Sequence, residues 1–434
     1  MKDAPIEKVV AESEFSDLLR ERAAPFFSAC AAPGGSAWTK RRFFDLSVSA
    51  DELESFLDDY GARTNRTFST LIEVVASIRG FALTGISLSH LVRRLPSYGV
   101  LDRLGEESVR LQVHQDLGSA LAFVEETVRD LMGALLDEGR RLGVTELARG
   151  EGQAPLDRSV RRFRLPHNVD LDRIDDEEQR IAGVASRFLE VAQVLEEARI
   201  RPIHEPEECE SFLVQVCTEE AARLWESNVH NLQSSYDTYV KNTLLETGDP
   251  RLPELRGHVA AALHTLEAVT LLTHFAERRD RGLRSRVADS VIQRVVPRTA
   301  VRNVTLNRLL VHANAFVQAG VELAAALLPS YTNASEAVLR LPEGVVLHAR
   351  PASLVVAVVQ HHGTPVELEV DGQACNAGSI LELMVLVGSN PEAREYVARG
   401  DERPLRDLIA LFAADLGESG LDGLPDSLGY LGRR

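Results

Sequence analysis

One short stretch of the sequence places a histidine, an arginine and a proline where an apolar run gives way to a predicted helix. In LHARPAS, residues 347–353, His348 falls at the expected N-cap of a helix that begins at Ala349. Unpaired N–H groups and the helix dipole favour a phosphoryl group at such a position. Arg350 adds a planar cationic donor, and Pro351 removes an N–H that would have no helical partner. Neutral imidazole is a nucleophile near pH 7, so the stretch predicts a phosphoryl acceptor at His348.

The chemistry of such a site is mainly positioning and charge neutralisation. We therefore expect no cofactor or metal ion in this part of the chain. The site is typical of a phosphoryl carrier rather than of an enzyme with its own turnover. The alternative interpretation of His348 is an exposed helix-cap histidine in a domain that no longer transfers phosphate.

Strand and helix signals alternate around this motif. The predicted strands are 337–344, 365–370, 371–377 and 395–400, and the predicted helices are 349–361, 379–387 and 403–415. Asp371 and Gly372 mark a hairpin turn, because both residues accept positive φ. The order βαββαβα predicts a small open-faced α/β sandwich, an antiparallel sheet covered on one side by helices.

Residues 335–416 resemble the histidine-containing phosphocarrier protein HPr of the bacterial phosphoenolpyruvate:sugar phosphotransferase system. Two motifs in the right order carry the resemblance, LHARPAS and NAGSILELM (376–384), followed by ARGDERPLRDLIALF as closing strand and helix. The resemblance implies that enzyme I phosphorylates His348, with phosphoenolpyruvate as ultimate donor. His348 would then pass the group to other phosphotransferase proteins, and Arg350 would stabilise the phosphate.

The second motif matches two further features of the family. Ser379 matches a serine that a dedicated HPr kinase phosphorylates in some bacteria, and the alternative is a plain helix N-cap. The residues that follow match an apolar patch that docks on enzyme I and on acceptor proteins, and they are Ile380, Leu381, Leu383 and Met384. The alternative for this patch is core packing, which one face of the helix requires.

The sequence departs from the family at several positions around these motifs. Val346 stands where glycine is usual, and Glu382 stands where a small residue is common. The residue before Ser379 is Gly378, where the family favours a charged or amide side chain. The end of the first sandwich helix carries His361 and His362 rather than lysines.

Before the sandwich, from about residue 50 to residue 328, apolar residues recur at helical spacing. One stripe consists of Leu117, Leu121, Val124, Val128, Leu131, Leu135 and Leu142, and a second consists of Ile181, Val184, Phe188, Val191 and Leu195. A multi-helix bundle is the simplest structure that buries such stripes. We expect residues 1–332 to form an all-α bundle of unassigned role, and residues 333–434 to form the sandwich with a short tail.

The helical region carries no comparable chemical signature. His264 and Glu267, and likewise His274 and Glu277, have a spacing that metal sites use, but matching ligands on other helices are missing, which favours structural histidines. The arginines of RSVRRFR could contact a phosphate, although a solvated loop is favoured, and they are Arg158, Arg161, Arg162 and Arg164. Motifs of known enzyme classes are missing, so an unrecognised enzyme is the least favoured interpretation.

Composition limits the classes of partner and the cellular compartment that the protein is expected to have. A net charge of −17 argues against nucleic acid and acidic membranes as partners. The four cysteines have no CxxC spacing, and no apolar run reaches the length of about 18 residues that spans a membrane. The first residues also lack the apolar segment of a signal peptide, so we expect a soluble cytoplasmic protein. Only four of the 48 basic residues are lysines, and this excess of arginine indicates a GC-rich bacterial genome.

Two functions therefore remain. The first is a carrier in a phosphotransfer relay, and the alternative is a phosphorylation-gated signalling or scaffold protein in which the sandwich regulates the helical region. The sequence leaves the oligomeric state open.

Overall fold

The computed structural model describes residues 11–31, 38–144, 174–280, 286–418 and 420–432. The arginines of RSVRRFR lie outside these ranges. The chain divides into two compact units. Unit 1 consists of Met1–Arg164, Leu195–Val229 and Gly257–Phe316, and unit 2 consists of Leu165–Val194, His230–Arg256 and Val317–Arg434.

The described residues before the sandwich are mostly helical, which confirms the predicted all-α region. The helices are α1 (Glu12–Ala31), α2 (Lys40–Asp59), α3 (Ser69–Arg94), α4 (Glu107–Arg141), α5 (Ile174–Glu197), α6 (Pro206–Gln215), α7 (Glu219–Tyr239), α8 (Leu244–Gly248), α9 (Arg251–Asp280), α10 (Arg286–Val295), α11 (Arg298–Asn303), α12 (Val311–Gln318) and α13 (Val321–Leu327). A π-helical segment, Val304–Leu310, joins α11 to α12.

The core of unit 1 forms where α3 packs between α2 and α4. Apolar residues surround most of α3, so it is buried by neighbours on more than one side. Five residues of the stripe predicted on α4 are at most 1% exposed, and they are Leu117, Val124, Val128, Leu131 and Leu135. The stripe predicted on α5 is buried as well.

Three helical segments are long and apolar enough to cross a membrane by length and composition alone. They are Ser69–Ser97, Arg251–Arg278 and Arg298–Ser330. Their most apolar windows are 67%, 72% and 50% buried within the fold, so much of this apolar surface already contacts protein. The cytoplasmic location stays a prediction.

The C-terminal elements have the predicted order βαββαβα. They are β1 (Ala334–Arg340), α14 (Ala349–His362), β2 (Val366–Val370), β3 (Gln373–Asn376), α15 (Ile380–Ser389), β4 (Glu395–Asp401) and α16 (Glu402–Ala413). The strands form one antiparallel sheet in the order β1-β4-β2-β3. The hairpin turn is confirmed, because Asp371 and Gly372 have φ angles of 49° and 78°.

Helices cover one face of this sheet. Leu368 of β2 and Ala398 of β4 are fully buried against Val355 of α14 and Leu408 of α16. The opposite face is exposed, and there Arg399 pairs with neighbouring strand carboxylates. This is the predicted open-faced sandwich, and it presents the N-terminus of α14 to solvent.

Candidate functional site

His348 is the N-cap of α14. Its backbone is extended, with φ −97° and ψ −173°, and its carbonyl accepts the N–H of Ala352 at 3.0 Å. Nδ1 of the ring accepts a long hydrogen bond, 3.4 Å, from the N–H of Arg350. The side chain is 54% exposed. The sequence placed His348 at this N-cap, and the structure places it there too.

The other ring nitrogen faces a carboxylate that sequence reasoning missed. Nε2 of His348 lies 2.9 Å from Oε1 of Glu418, which follows the last helix of the sandwich. An ionised carboxylate only accepts hydrogen bonds, so Nε2 carries the proton and donates it to Glu418. In the neutral ring, Nδ1 is then unprotonated, and its lone pair points toward the N-terminus of α14.

An unusual turn brings Glu418 to the histidine. Asp415, Leu416 and Gly417 have consecutive positive φ angles of 51°, 52° and 70°. The left-handed region is unfavourable for a branched residue such as leucine, and Leu416 is held there by complete burial. Such strained backbone often occurs at functional sites, but residue spacing alone does not reveal it.

Arg350 supplies the cationic side of the site. Its side chain reaches the same turn, where Nη2 donates to the carbonyl of Gly417 over 3.4 Å. Ala349 and Arg350 present first-turn N–H groups, whereas the buried Pro351 has none. The guanidinium, the Ala349 N–H and an unprotonated Nδ1 that accepts the Arg350 N–H therefore meet at one exposed point.

Valine at position 346 leaves this arrangement intact. Val346 is exposed, and its carbonyl accepts the N–H of His348 at 2.9 Å. The position has no positive φ, whereas Gly344, two residues earlier, has φ 82°. Glycine is therefore required at 344 and not at 346.

Ser379 is the N-cap of α15. Its Oγ accepts the N–H of Glu382 at 3.3 Å, and the Glu382 side chain in turn accepts the N–H of Asn376 at 3.0 Å. Glu382, which departs from the family, thus ties the first turn of α15 to the last residue of β3. The structure gives Ser379 a capping role, and its phosphorylation stays a prediction.

The predicted docking patch divides between surface and core. Ile380 and Leu381 are 42% and 73% exposed, and Val385, one turn further on, is 61% exposed. Leu383 is completely buried and Met384 packs partly against the core. Leu383 is thus a correction to the prediction: it faces inward because the helix must bury one side, so the exposed patch is Ile380, Leu381 and Val385.

The histidine pairs of the helical region have local partners. Nδ1 of His264 lies 3.0 Å from Glu267 on the same helix, and Nδ1 of His274 lies 2.8 Å from Glu219 of α7. Within the described ranges no group of three or more His, Cys, Asp or Glu side chains could hold a metal ion.

An open-faced βαββαβα sandwich that exposes a histidine at the start of its first helix is of the HPr-like class. Comparison with known families agrees, because residues 335–403 match the family described as the PTS HPr component phosphorylation site. The predicted HPr-like C-terminal domain is confirmed. Such a domain interacts in general with phosphoryl donors and acceptors of the phosphotransferase system. A search of curated proteins and a search of solved structures gave no match.

Proposed function

We propose that the C-terminal domain, residues 333–434, is a phosphoryl carrier in a bacterial phosphotransferase relay. His348 accepts the group from an enzyme I-like donor and passes it to an acceptor protein. The observation that carries this proposal is the position of His348, with Nδ1 at the N-terminus of α14 and Nε2 on Glu418. The family match supports it at the level of the domain.

The transfer follows from the two ring nitrogens. Nδ1 first releases the long hydrogen bond from the Arg350 N–H, and its lone pair then attacks the phosphorus. The bond from phosphorus to the donor breaks as the new bond forms at Nδ1. The ring gains positive charge in this step, and the Glu418 carboxylate at Nε2 stabilises that charge. Arg350 and the N–H groups of α14 stabilise the transferred phosphoryl oxygens.

A labelling experiment tests this proposal. Purified protein is incubated with enzyme I and phosphoenolpyruvate, and we expect an acid-labile mass gain of one phosphate that His348→Ala abolishes. His361→Ala is the matched control, since His361 lies on the same helix and is also exposed. Absence of label, or label that persists in His348→Ala, would show that the carrier proposal is wrong.

Contacts within unit 2 support a second candidate, the phosphorylation-gated switch. Gln179 of α5 donates to Nδ1 of His362 at 2.9 Å, and a Cβ on Gly183 would lie 3.6 Å from the carbonyl of Gly363. Helix α5 therefore packs closely against the C-terminal end of α14, the helix whose N-terminus carries His348. Between the two helices lies a cavity of about 770 Å³.

Hydrogen exchange of α5 distinguishes the two candidates. In a switch, phosphorylation at His348 speeds exchange in residues 177–194 and the label stays on the protein. In a relay, exchange in α5 is unchanged and the label moves to an acceptor protein. Gly183→Leu is a useful variant, because its Cβ would already contact the Gly363 carbonyl and we expect the atoms beyond it to push α5 away without phosphorylation.

The remaining parts of the proposal concern location and modification. We place the protein in the bacterial cytoplasm, which suits its four free cysteines. Ser379 is the proposed target of an HPr kinase, and Ile380 and Leu381 are the proposed contacts for donor and acceptor proteins.

A further inference from the structure

A second polar cavity, of about 410 Å³, lies in unit 1, whereas His348 belongs to unit 2. Its walls come from the start of α2 and from α3, α7 and α9. Leu83, Ile86 and Leu271 form an apolar part of the wall, and polar side chains from all of these helices converge on the rest. Pockets between the helices of a bundle are common sites for small ligands.

One group of these polar side chains is centred on His90. Nζ of Lys40 lies 3.2 Å from Nδ1 of His90, and since an ammonium can only donate, Nδ1 accepts. The ring proton is then on Nε2, 3.2 Å from the hydroxyl of Tyr98. Burial, followed by the nearby His264 and Lys40, lowers the pKa of His90 to about 4. His90 is therefore neutral at pH 7 and holds the Lys40 ammonium at the cavity.

A second group is already satisfied by its own contacts. Oε2 of Glu267 lies 3.0 Å from Nδ1 of His264 and accepts the Ser87 hydroxyl at 2.8 Å. Burial raises the pKa of Glu267, but these hydrogen bonds outweigh it and the net shift is downward. The Arg223 guanidinium is bound by Glu219 at 2.7 and 2.8 Å. These side chains form a fixed frame for the cavity.

Two polar groups of the wall have no partner among the described residues. The Thr270 hydroxyl is buried, with the residue only 3% exposed, and it makes no hydrogen bond to any residue that the structure describes. The Glu226 carboxylate makes no hydrogen bond or ion pair within the described part of the chain. Buried hydroxyls are nearly always hydrogen-bonded, so we expect a molecule in the cavity, water or a ligand, to bind the Thr270 hydroxyl.

The charges of the wall indicate the class of that ligand. Lys40 and Arg223 balance Glu226 and Glu267, and a wall with no net charge does not favour a multiply charged anion such as a nucleotide. Among the described wall residues, the Lys40 ammonium, the Glu226 carboxylate and the Thr270 hydroxyl can each bind a ligand next to an apolar surface.

We propose that this cavity binds a free amino acid or a similarly small zwitterion. Its carboxylate pairs with Lys40, its ammonium pairs with Glu226, and the Thr270 hydroxyl hydrogen-bonds one of these two groups. An apolar side chain packs on Leu83, Ile86 and Leu271. The helical region would then be a sensor domain for a small molecule, whatever the fate of the phosphoryl group at His348.

Calorimetry on the full chain tests this proposal, with the proteinogenic amino acids as probes. We expect saturable binding of at least one apolar amino acid and a higher melting temperature in its presence. Lys40→Met and Glu226→Gln should each weaken binding about tenfold, the scale of one charge-assisted hydrogen bond. The N-acetyl and amide derivatives of the bound amino acid should lose a similar factor, because each lacks one charge.

Thr270→Val separates ligand binding from folding. We expect weaker binding while the free protein keeps its stability or gains some, because the substitution removes an unpaired buried hydroxyl. The control is Thr265→Val on the same helix, whose hydroxyl donates to the carbonyl of Ala261 at 2.7 Å outside the cavity. The proposal is overturned if no amino acid binds, if ATP or inorganic phosphate binds there instead, or if all three variants bind like the wild type.

Discussion

Nε2 of His348 lies 2.9 Å from the carboxylate of Glu418, and this contact determines which ring nitrogen is free. The carboxylate accepts a hydrogen bond from the protonated Nε2, so Nδ1 keeps its lone pair beside the first amides of α14. The turn at Asp415, Leu416 and Gly417 makes the contact, because its positive φ angles direct the chain back toward the histidine. The tail of the sandwich is therefore part of the site.

Removing this carboxylate should slow phosphorylation of His348. For Glu418→Ala we expect a rate about two- to fivefold lower, since the pair is partly exposed and such pairs contribute little individually. The measurement is the initial rate of label transfer from enzyme I, with nitrogen NMR of the ring to follow the tautomer. Glu343→Ala, an exposed carboxylate in the loop before His348, is the control. An unchanged rate and an unchanged tautomer in Glu418→Ala would contradict this role.

The contribution of the Ser379 N-cap to the free energy of unfolding should be measurable. Ser379→Ala should destabilise the sandwich by about 1 kcal/mol, because the N–H of Glu382 loses its acceptor. Ser379→Asp keeps an acceptor for this N–H, so it should lose less stability than Ser379→Ala. The new charge, however, lies near the Glu382 carboxylate. Urea unfolding of the sandwich, followed by NMR, gives both values. Ser389→Ala at the other end of the helix is the control, and an equal loss there would show that capping is not the cause.

Substitution of the exposed leucine of α15 should affect binding to enzyme I, whereas substitution of the buried leucine should affect stability. Leu381→Ser should raise the KM for enzyme I and leave the melting temperature unchanged, because this side chain is 73% exposed. Leu383→Ala should destabilise the sandwich by about 2–5 kcal/mol, since it leaves a cavity in the core.

Val338→Ser provides the comparison for the exposed leucine. Val338 is 52% exposed on β1, away from α15, and its substitution should leave the KM for enzyme I unchanged. If Val338→Ser and Leu381→Ser raised the KM equally, the docking patch on α15 would have no support.

Acid should weaken the sandwich through Asp407. Burial raises the pKa of this carboxyl, but hydrogen bonds from His362 at 2.9 Å and Tyr430 at 2.7 Å outweigh burial and lower it. A lowered pKa means that the stabilisation is complete above the unfolded value of about 3.9. It is lost as the pH falls through the folded value.

A pH series of the variant Asp407→Asn checks this direction. The difference in urea midpoint between wild type and variant should be largest near neutral pH and should shrink below about pH 4. Asp426→Asn, an exposed residue of the same domain, should show no such trend. A difference that stayed constant down to acid pH would mean that ionisation of Asp407 does not stabilise the fold.

Much of the sandwich could be predicted because its signals are local. Apolar periodicity gave its seven elements in order, and Asp371–Gly372 gave the hairpin, since few other residues accept positive φ there. The N-cap position of His348 followed from its place just before an apolar-periodic segment. β1 begins three residues before the predicted start, at Ala334, because its pairing with β4 extends to Asp401.

Other features depended on which face of an element meets the core. Core packing was only the alternative for Leu383, because apolar residues lie all around α15 and the sequence does not show which of them faces the core. In unit 1, spacing grouped His264 with Glu267, and their hydrogen bond agrees with that pairing. The same spacing could not bring Lys40, His90 and Glu226 to the same cavity, because these residues lie on different helices.

The sequence by itself determined the elements of the sandwich, the hairpin turn at Asp371–Gly372 and the residue types at the start of α14. These features depend on the propensities of neighbouring residues. Only the tertiary structure decided that Glu418 orients His348 and that α5 packs on the far end of α14. It also decided that Thr270 is buried with no hydrogen-bond partner among the described residues. Those relationships depend on long-range packing, and residues distant in the chain approach each other only when the core is complete.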